Sequence, residues 1–106
     1  VTPQEYVEEV LALVESIPAG RVMSYGAIAD ALADRSGRNS ARLVGRIMAL
    51  HGGGVPWHRV CSGGGRLPPG HEVRAKGLLL GEGVPMRGDR VLMAEAGWMP
   101  VAPPAR

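Results

Sequence analysis

The sequence predicts a mainly α fold, a winged-helix-like helix-turn-helix domain with a small β-hairpin. Three observations predict it. Apolar residues recur at helical spacing through the first half of the chain. Two short helical segments there are joined by a polar, glycine-containing turn, and the second carries arginines outward. Late in the chain, Gly88-Asp89 divides Val84 to Met93 into a small hairpin.

Thr2-Pro3-Gln4-Glu5 opens the first helix. Thr2 can cap, Pro3 suits the first helical position, and Glu5 closes a capping box. Tyr6, Val10, Leu13, Val14 and Ile17 form its apolar stripe, and Pro18-Ala19-Gly20 stops it. Arg21-Val22-Met23 reads as an extended link. Ser24 caps a second helix from Tyr25 to about Ala33, with Ile28 and Leu32 inward. Asp34 to Arg38 reads as the turn. Asn39 or Ser40 caps a third helix to about Leu50, with Leu43, Val44, Ile47 and Met48 inward and Arg42 and Arg46 sharing an outer face. An antiparallel helix pair in a small bundle would look the same.

Gly52-Gly53-Gly54 breaks the chain before Val55-Pro56-Trp57-His58-Arg59-Val60. Gly63-Gly64-Gly65 and Pro68-Pro69-Gly70 bracket a flexible stretch around Arg66. A short helix over about 71–81 brings in Leu78, Leu79 and Leu80, and Trp98 closes the domain. A length of 106 residues fits one domain, expected over 1–100, with 101–106 as a flexible tail.

With 45% apolar residues the chain can build a core, and wholesale disorder is excluded. No apolar run nears the ~18 residues of a membrane span, and no export leader is recognisable. A lone cysteine, Cys61, excludes an internal disulfide framework. A cytoplasmic protein without membrane association, at the nucleoid if bacterial, is therefore expected, and it is expected to be a monomer. The net charge of +2 is unevenly placed: residues 1–16 carry four Glu and no base, whereas residues 17–76 carry nine bases against three acids. Such a basic middle fits a polyanion partner, or an ordinary solvated arginine-rich surface.

Neither glycine triplet matches a phosphate-binding loop. His51, His58, Cys61 and His71 have no metal-finger spacing, so neither metal nor cofactor is expected. Cys61 reads as a small buried hydrophobe, although His58 three residues away leaves a reactive thiol open. Trp57 follows a triple glycine and a proline, where closing a turn needs no large aromatic. It is either a core residue or a stacking wall for a flat base.

Three motifs in order resemble the DNA-binding domain of O6-alkylguanine-DNA alkyltransferases. They are Ile17-Pro18-x-Gly20-x-Val22-x-Ser24-Tyr25-Gly26-x-Ile28-Ala29, then Ala41-Arg42-x-Val44-Gly45, then Pro56-Trp57-His58-Arg59-Val60. Lys76 to Gly83 resembles the helix that closes the site in that family. The third motif departs at one position, because Trp57 stands where transferases carry their acceptor cysteine. That departure resembles the alkyltransferase-like branch, as does Trp98-Met99-Pro100.

The resemblance implies a non-enzymatic sensor. It would bind O6-alkylguanine in double-stranded DNA by minor-groove docking and nucleotide flipping, and flag the lesion to nucleotide excision repair damage-recognition proteins. It assigns Tyr25 to the target nucleotide's 3′ phosphate and Arg42 to the gap left in the duplex. It assigns Ala41 and Gly45 to close approach of the helix. Pro56, Trp57, His58 and Arg59, with Tyr25, become the lesion pocket, and His58 and Glu82 the remnant of a proton relay. His51 stands where transferases have asparagine, and the loop over Gly52 to Val55 is shorter than in many of them. Two other functions stay open: an alkyltransferase using Cys61 as a displaced acceptor, and a winged-helix transcription regulator.

Overall fold

A computed structural model describes residues 2–36 and 41–100. The expected cap at Asn39 or Ser40, the position of Arg38 and the tail over 101–106 lie outside the described residues.

The first helix, α1 (Pro3–Glu15), begins with the expected capping box: Thr2 Oγ1 accepts from the Glu5 amide at 3.1 Å, and Glu5 Oε1 accepts from the Thr2 amide at 2.8 Å. It ends two residues earlier than the apolar spacing implies, so Ile17 is buried from the loop rather than from the helix. After β1 (Met23–Ser24), Ser24 Oγ accepts from the Ala27 amide at 3.0 Å and caps α2 (Tyr25–Ser36). This helix overruns its expected end, so Asp34 to Ser36 are helical rather than part of the turn. None of the residues from Ala29 to Ser36 is a glycine or proline that would break it. The third helix, α3 (Ala41–His51), buries Val44 and Ile47, half-buries Leu43 and Met48, and leaves Arg42 and Arg46 exposed.

Single helical turns at Gly52–Gly54 and Trp57–Arg59 lead into β2 (Val60–Cys61). The fourth helix, α4 (Glu72–Gly81), buries Ala75 and Leu79. Leu78 and Leu80, expected inside, are 39% and 53% exposed, because consecutive helical residues cannot all face one core. The hairpin forms as expected from β3 (Met86–Arg87) and β4 (Arg90–Val91), turning at Gly88-Asp89 with Gly88 at φ +59°. A one-turn α5 (Met93–Ala96), which the sequence did not announce, follows.

β1 and β2 pair in parallel, Met23 with Val60 and Ser24 with Cys61. On its other side the same segment takes the C-terminus: the Val22 amide donates to Ala96 O, and the Trp98 amide to Val22 O at 2.8 Å. Alternation along these short strands divides the interior in two. Met23 and Val60 join α1, α2 and α3 in one apolar cluster, while Val22 and Cys61 join Leu67, α4, Val84, Val91 and Ala96 in the other. Gly65, at φ +83°, passes so close to β4 that a Cβ there would sit 2.2 Å from Val91 O. No described helix is long and apolar enough to cross a membrane.

Candidate nucleic-acid interface

Pro56 sets the geometry of the central motif. Its φ of −71° and ψ of 69° make an inverse γ-turn, in which the Trp57 amide donates to Val55 O at 2.6 Å. The next residues turn through a single helical loop, so Trp57 and its two neighbours leave the chain in different directions. Trp57 lines an open pocket of about 630 Å³ between α3 and α4. His58 and Arg59 turn away from that pocket onto Glu82, at the end of α4.

Glu82 is the centre of a polar clamp. Its Oε2 accepts from Arg59 Nη2 at 2.8 Å and lies 2.8 Å from His58 Nε2. Its Oε1 accepts from Arg59 Nε at 3.0 Å and from the Gly20 amide at 3.3 Å. Arg59 Nη1 donates to Ile17 O at 2.8 Å, which completes the tie to the end of α1. The Arg59 guanidinium, opposed by partial burial and helped by the His58 and Gly20 donors, holds the Glu82 carboxyl down at about 2. An ionised carboxylate only accepts, so His58 carries a proton on Nε2. The bidentate Arg59 fork is a strong pairing geometry.

The pocket has a mixed wall. Tyr25, at the start of α2, faces Gly45 of α3, and both line it together with Met48. A Cβ built on Gly45 would meet Tyr25 Cδ1 at 4.0 Å, an ordinary contact. Internal packing therefore does not require glycine there. Burial, helped by the neighbouring Cys61 thiol, pushes the Tyr25 phenol above its ordinary range, so it stays a neutral donor. On the opposite wall, Arg74 of α4 places its guanidinium 5.7 Å from the centre of the Trp57 ring, and His71 meets that ring edge-on at 5.6 Å. A cation over an aromatic face is worth about 0.5–1 kcal/mol at an exposed site.

Of the residues singled out from the sequence, Tyr25, Gly45 and Trp57 meet at the pocket. Pro56, His58 and Arg59 stand behind Trp57 and do not line it. Ala41 and Arg42 are exposed on the first turn of α3, and among the described residues Arg42 has neither a hydrogen bond nor an ion pair. His71 and Arg74 were missed. Their i, i+3 spacing at the start of a helix was the available signal. Cys61 is fully buried between Met23 O and Met93 Sδ, and desolvation pushes its thiol up to about 12. No group of metal-ligating side chains occurs among the described residues.

A capped helix pair, a hairpin and an aromatic pocket edged by Arg74 make up the site, and comparison with known families gives the class, a DNA-binding domain of DNA repair. The model of the 6-O-methylguanine DNA methyltransferase DNA-binding domain matches residues 5–84, and the chain belongs to that family. Among solved structures it is similar to S. pombe Atl1 in complex with damaged DNA containing O6-carboxymethylguanine. The two share 32% identity with a TM-score of 0.76, over 94% of this chain and 100% of that one. It is also similar to S. pombe ATL in complex with DNA, at 33% identity and a TM-score of 0.74, with the same coverage. No curated protein matches the sequence.

Proposed function

We propose that the protein is a non-enzymatic sensor of O6-alkylguanine in duplex DNA. In this reading α3 docks in the minor groove, the damaged nucleotide rotates into the pocket, and Arg42 fills the vacated place. The monomeric complex, in the cytoplasm, then flags the lesion to nucleotide excision repair proteins. The observation that carries the reading is Trp57. Its ring walls the pocket of about 630 Å³, and the motif resemblance puts it where transferases carry their acceptor cysteine. Indole has no thiolate to accept an alkyl group, but it stacks, and stacking on a base is worth about 1–3 kcal/mol. That offsets part of the few kcal/mol that flipping costs. The S. pombe complexes with DNA support the same reading.

The displaced-acceptor alternative places the chemistry on Cys61. That thiol is fully buried in the cluster on the far side of β2, and its raised pKa keeps it protonated at neutral pH. The transcription-regulator alternative gives the arginine-edged pocket around Trp57 nothing to do.

Equilibrium binding to matched duplexes, with and without one O6-methylguanine and at several salt concentrations, tests the proposal. Tighter binding of the damaged duplex is expected throughout. In Trp57→Ala that preference shrinks by about tenfold, the equivalent of the ~1–3 kcal/mol of stacking. Equal affinity of the wild-type protein for both duplexes would remove the sensor reading. Mass spectrometry of the protein after incubation with methylated duplex is expected to show an unchanged mass. A methyl group on Cys61 would instead make the protein an enzyme.

A further inference from the structure

The hairpin carries a feature that the pocket does not use. Arg87 pairs with Arg90 across the β3–β4 turn, and Arg90 pairs on its other side with Arg66 in an isolated antiparallel bridge. Residues directly opposite in antiparallel pairing project to the same face. Three arginines therefore stand side by side, one from each of three adjacent chain segments, all exposed. Among the described residues none of their guanidiniums has a hydrogen-bond or ion-pair partner. Of the nearby acids, Asp89 is engaged by Lys76 at 2.9 Å, which leaves Glu72 as the remaining counter-charge. Like charges directly opposite one another disfavour the folded sheet. A row of them, kept unpaired, is stable enough to tolerate and ready for an anion.

The row is continuous with the pocket. Arg66 and Arg90 line a shallow depression of about 380 Å³ together with Tyr25, which also lines the Trp57 pocket. At about 4.8 Å between neighbouring strands, three residues span about 10 Å. Consecutive phosphates of one DNA strand are spaced more widely than their axial rise of about 3.4 Å, because the backbone winds round the axis, and the long arginine side chains can fan out from the row to reach three of them.

We propose that Arg66, Arg90 and Arg87 form a second phosphate-binding strip, which holds the duplex backbone beyond Tyr25 while α3 and the pocket engage the target nucleotide. This rests on the duplex-binding reading above, but not on lesion recognition. Phosphate contacts set register and salt dependence and carry no sequence or lesion information. The strip should therefore strengthen binding to damaged and undamaged DNA equally.

The test replaces all three with glutamine and measures affinity for undamaged and O6-methylguanine duplexes between about 50 and about 200 mM salt. Each lost phosphate contact lowers the log–log salt slope by about 0.9, so the triple variant should lose about 2.7 of slope. The wild type then loses about 40 times more affinity than the variant over that salt range. The preference for damaged duplex should not change, and Arg→Lys at all three positions should restore most of the slope. Relief of like-charge repulsion means that the glutamine variant melts no lower than the wild type at low salt. A slope change below about 1 with lesion preference intact would overturn the strip and leave the sensor reading standing. A full slope change in a protein without lesion preference would do the reverse.

Discussion

Arg42→Ala is expected to weaken binding to damaged and undamaged duplex by a similar factor, about 30-fold, because its side chain fills the gap opened by any extruded base. The factor corresponds to about 2 kcal/mol of the few kcal/mol that unstacking costs. The structure supplies the reach and the rigidity. Val44 and Ile47 anchor α3 in the core, while Arg42 stands exposed on its first turn with no intramolecular partner among the described residues. A planar guanidinium can stack in the gap and hydrogen-bond the orphaned cytosine. Arg46, one turn on and equally exposed, is the control. If both are ordinary phosphate contacts, Arg46→Ala costs as much, and 2-aminopurine fluorescence at the target reports extrusion undiminished in Arg42→Ala. The gap-filling assignment requires a clearly larger loss at Arg42, with extrusion largely abolished.

Glu82→Ala is expected to destabilise the fold by about 3 kcal/mol, the cost of leaving a largely buried guanidinium without its partner. For a domain of this size that lowers the melting midpoint by about 15 °C. Arg59 and Glu82 are each 18% exposed, so solvent screens the pair only partly. The pH dependence identifies the source. Glu82 is held at about 2 in the folded protein against 4.5 as its ordinary value. Its contribution is therefore complete above about pH 5 and falls away as the pH drops through the window between those values. Urea unfolding of wild type and Glu82→Gln should differ most at pH 6, with the gap closing by about pH 2. A gap of constant size would assign the loss to packing and not to the carboxylate.

How much of this was legible in the sequence depended on the range of the signal. The capping box at Thr2 and Glu5, the Ser24 cap and the Gly88-Asp89 turn are written within a few residues, and all formed as read. The end of α2 was misread because polar residues were taken as a turn although nothing in them breaks a helix. The three leucines of α4 were misread because apolarity was counted without its period. The β1–β2 pairing was illegible, since two residues per strand leave no periodicity to detect. At the site, the motif marked Trp57 as unusual but treated its neighbours as one unit. Pro56 fixes a γ-turn that separates them, sending Trp57 to the pocket and Arg59 to Glu82, 23 residues away. Contacts at that separation leave no local trace; the i, i+3 spacing of His71 and Arg74 shows a shared helix face but not that Trp57 lies beneath it, and the three arginines aligned by the hairpin are equally unmarked.

The double-sided pairing of Val22 to Ser24 governs the order in which the protein can be made. Helices α1 to α3 lie within the first half of the chain, yet their cluster is closed by Val60, and the strand beneath them gains its second edge only when Ala96 and Trp98 arrive. Closing loops of that length is slow relative to forming the helices themselves. A nascent chain emerging from the ribosome therefore holds its second apolar cluster open until Ala96 and Trp98 have emerged. Completion is then cooperative: the docking of the 96–98 segment seats Val22 and frames the β1–β2 pair in one step. A chain stopped before residue 82 would keep every buried member of the α1–α3 cluster but would leave Val22 and Cys61 without Val84, Val91 and Ala96 over them.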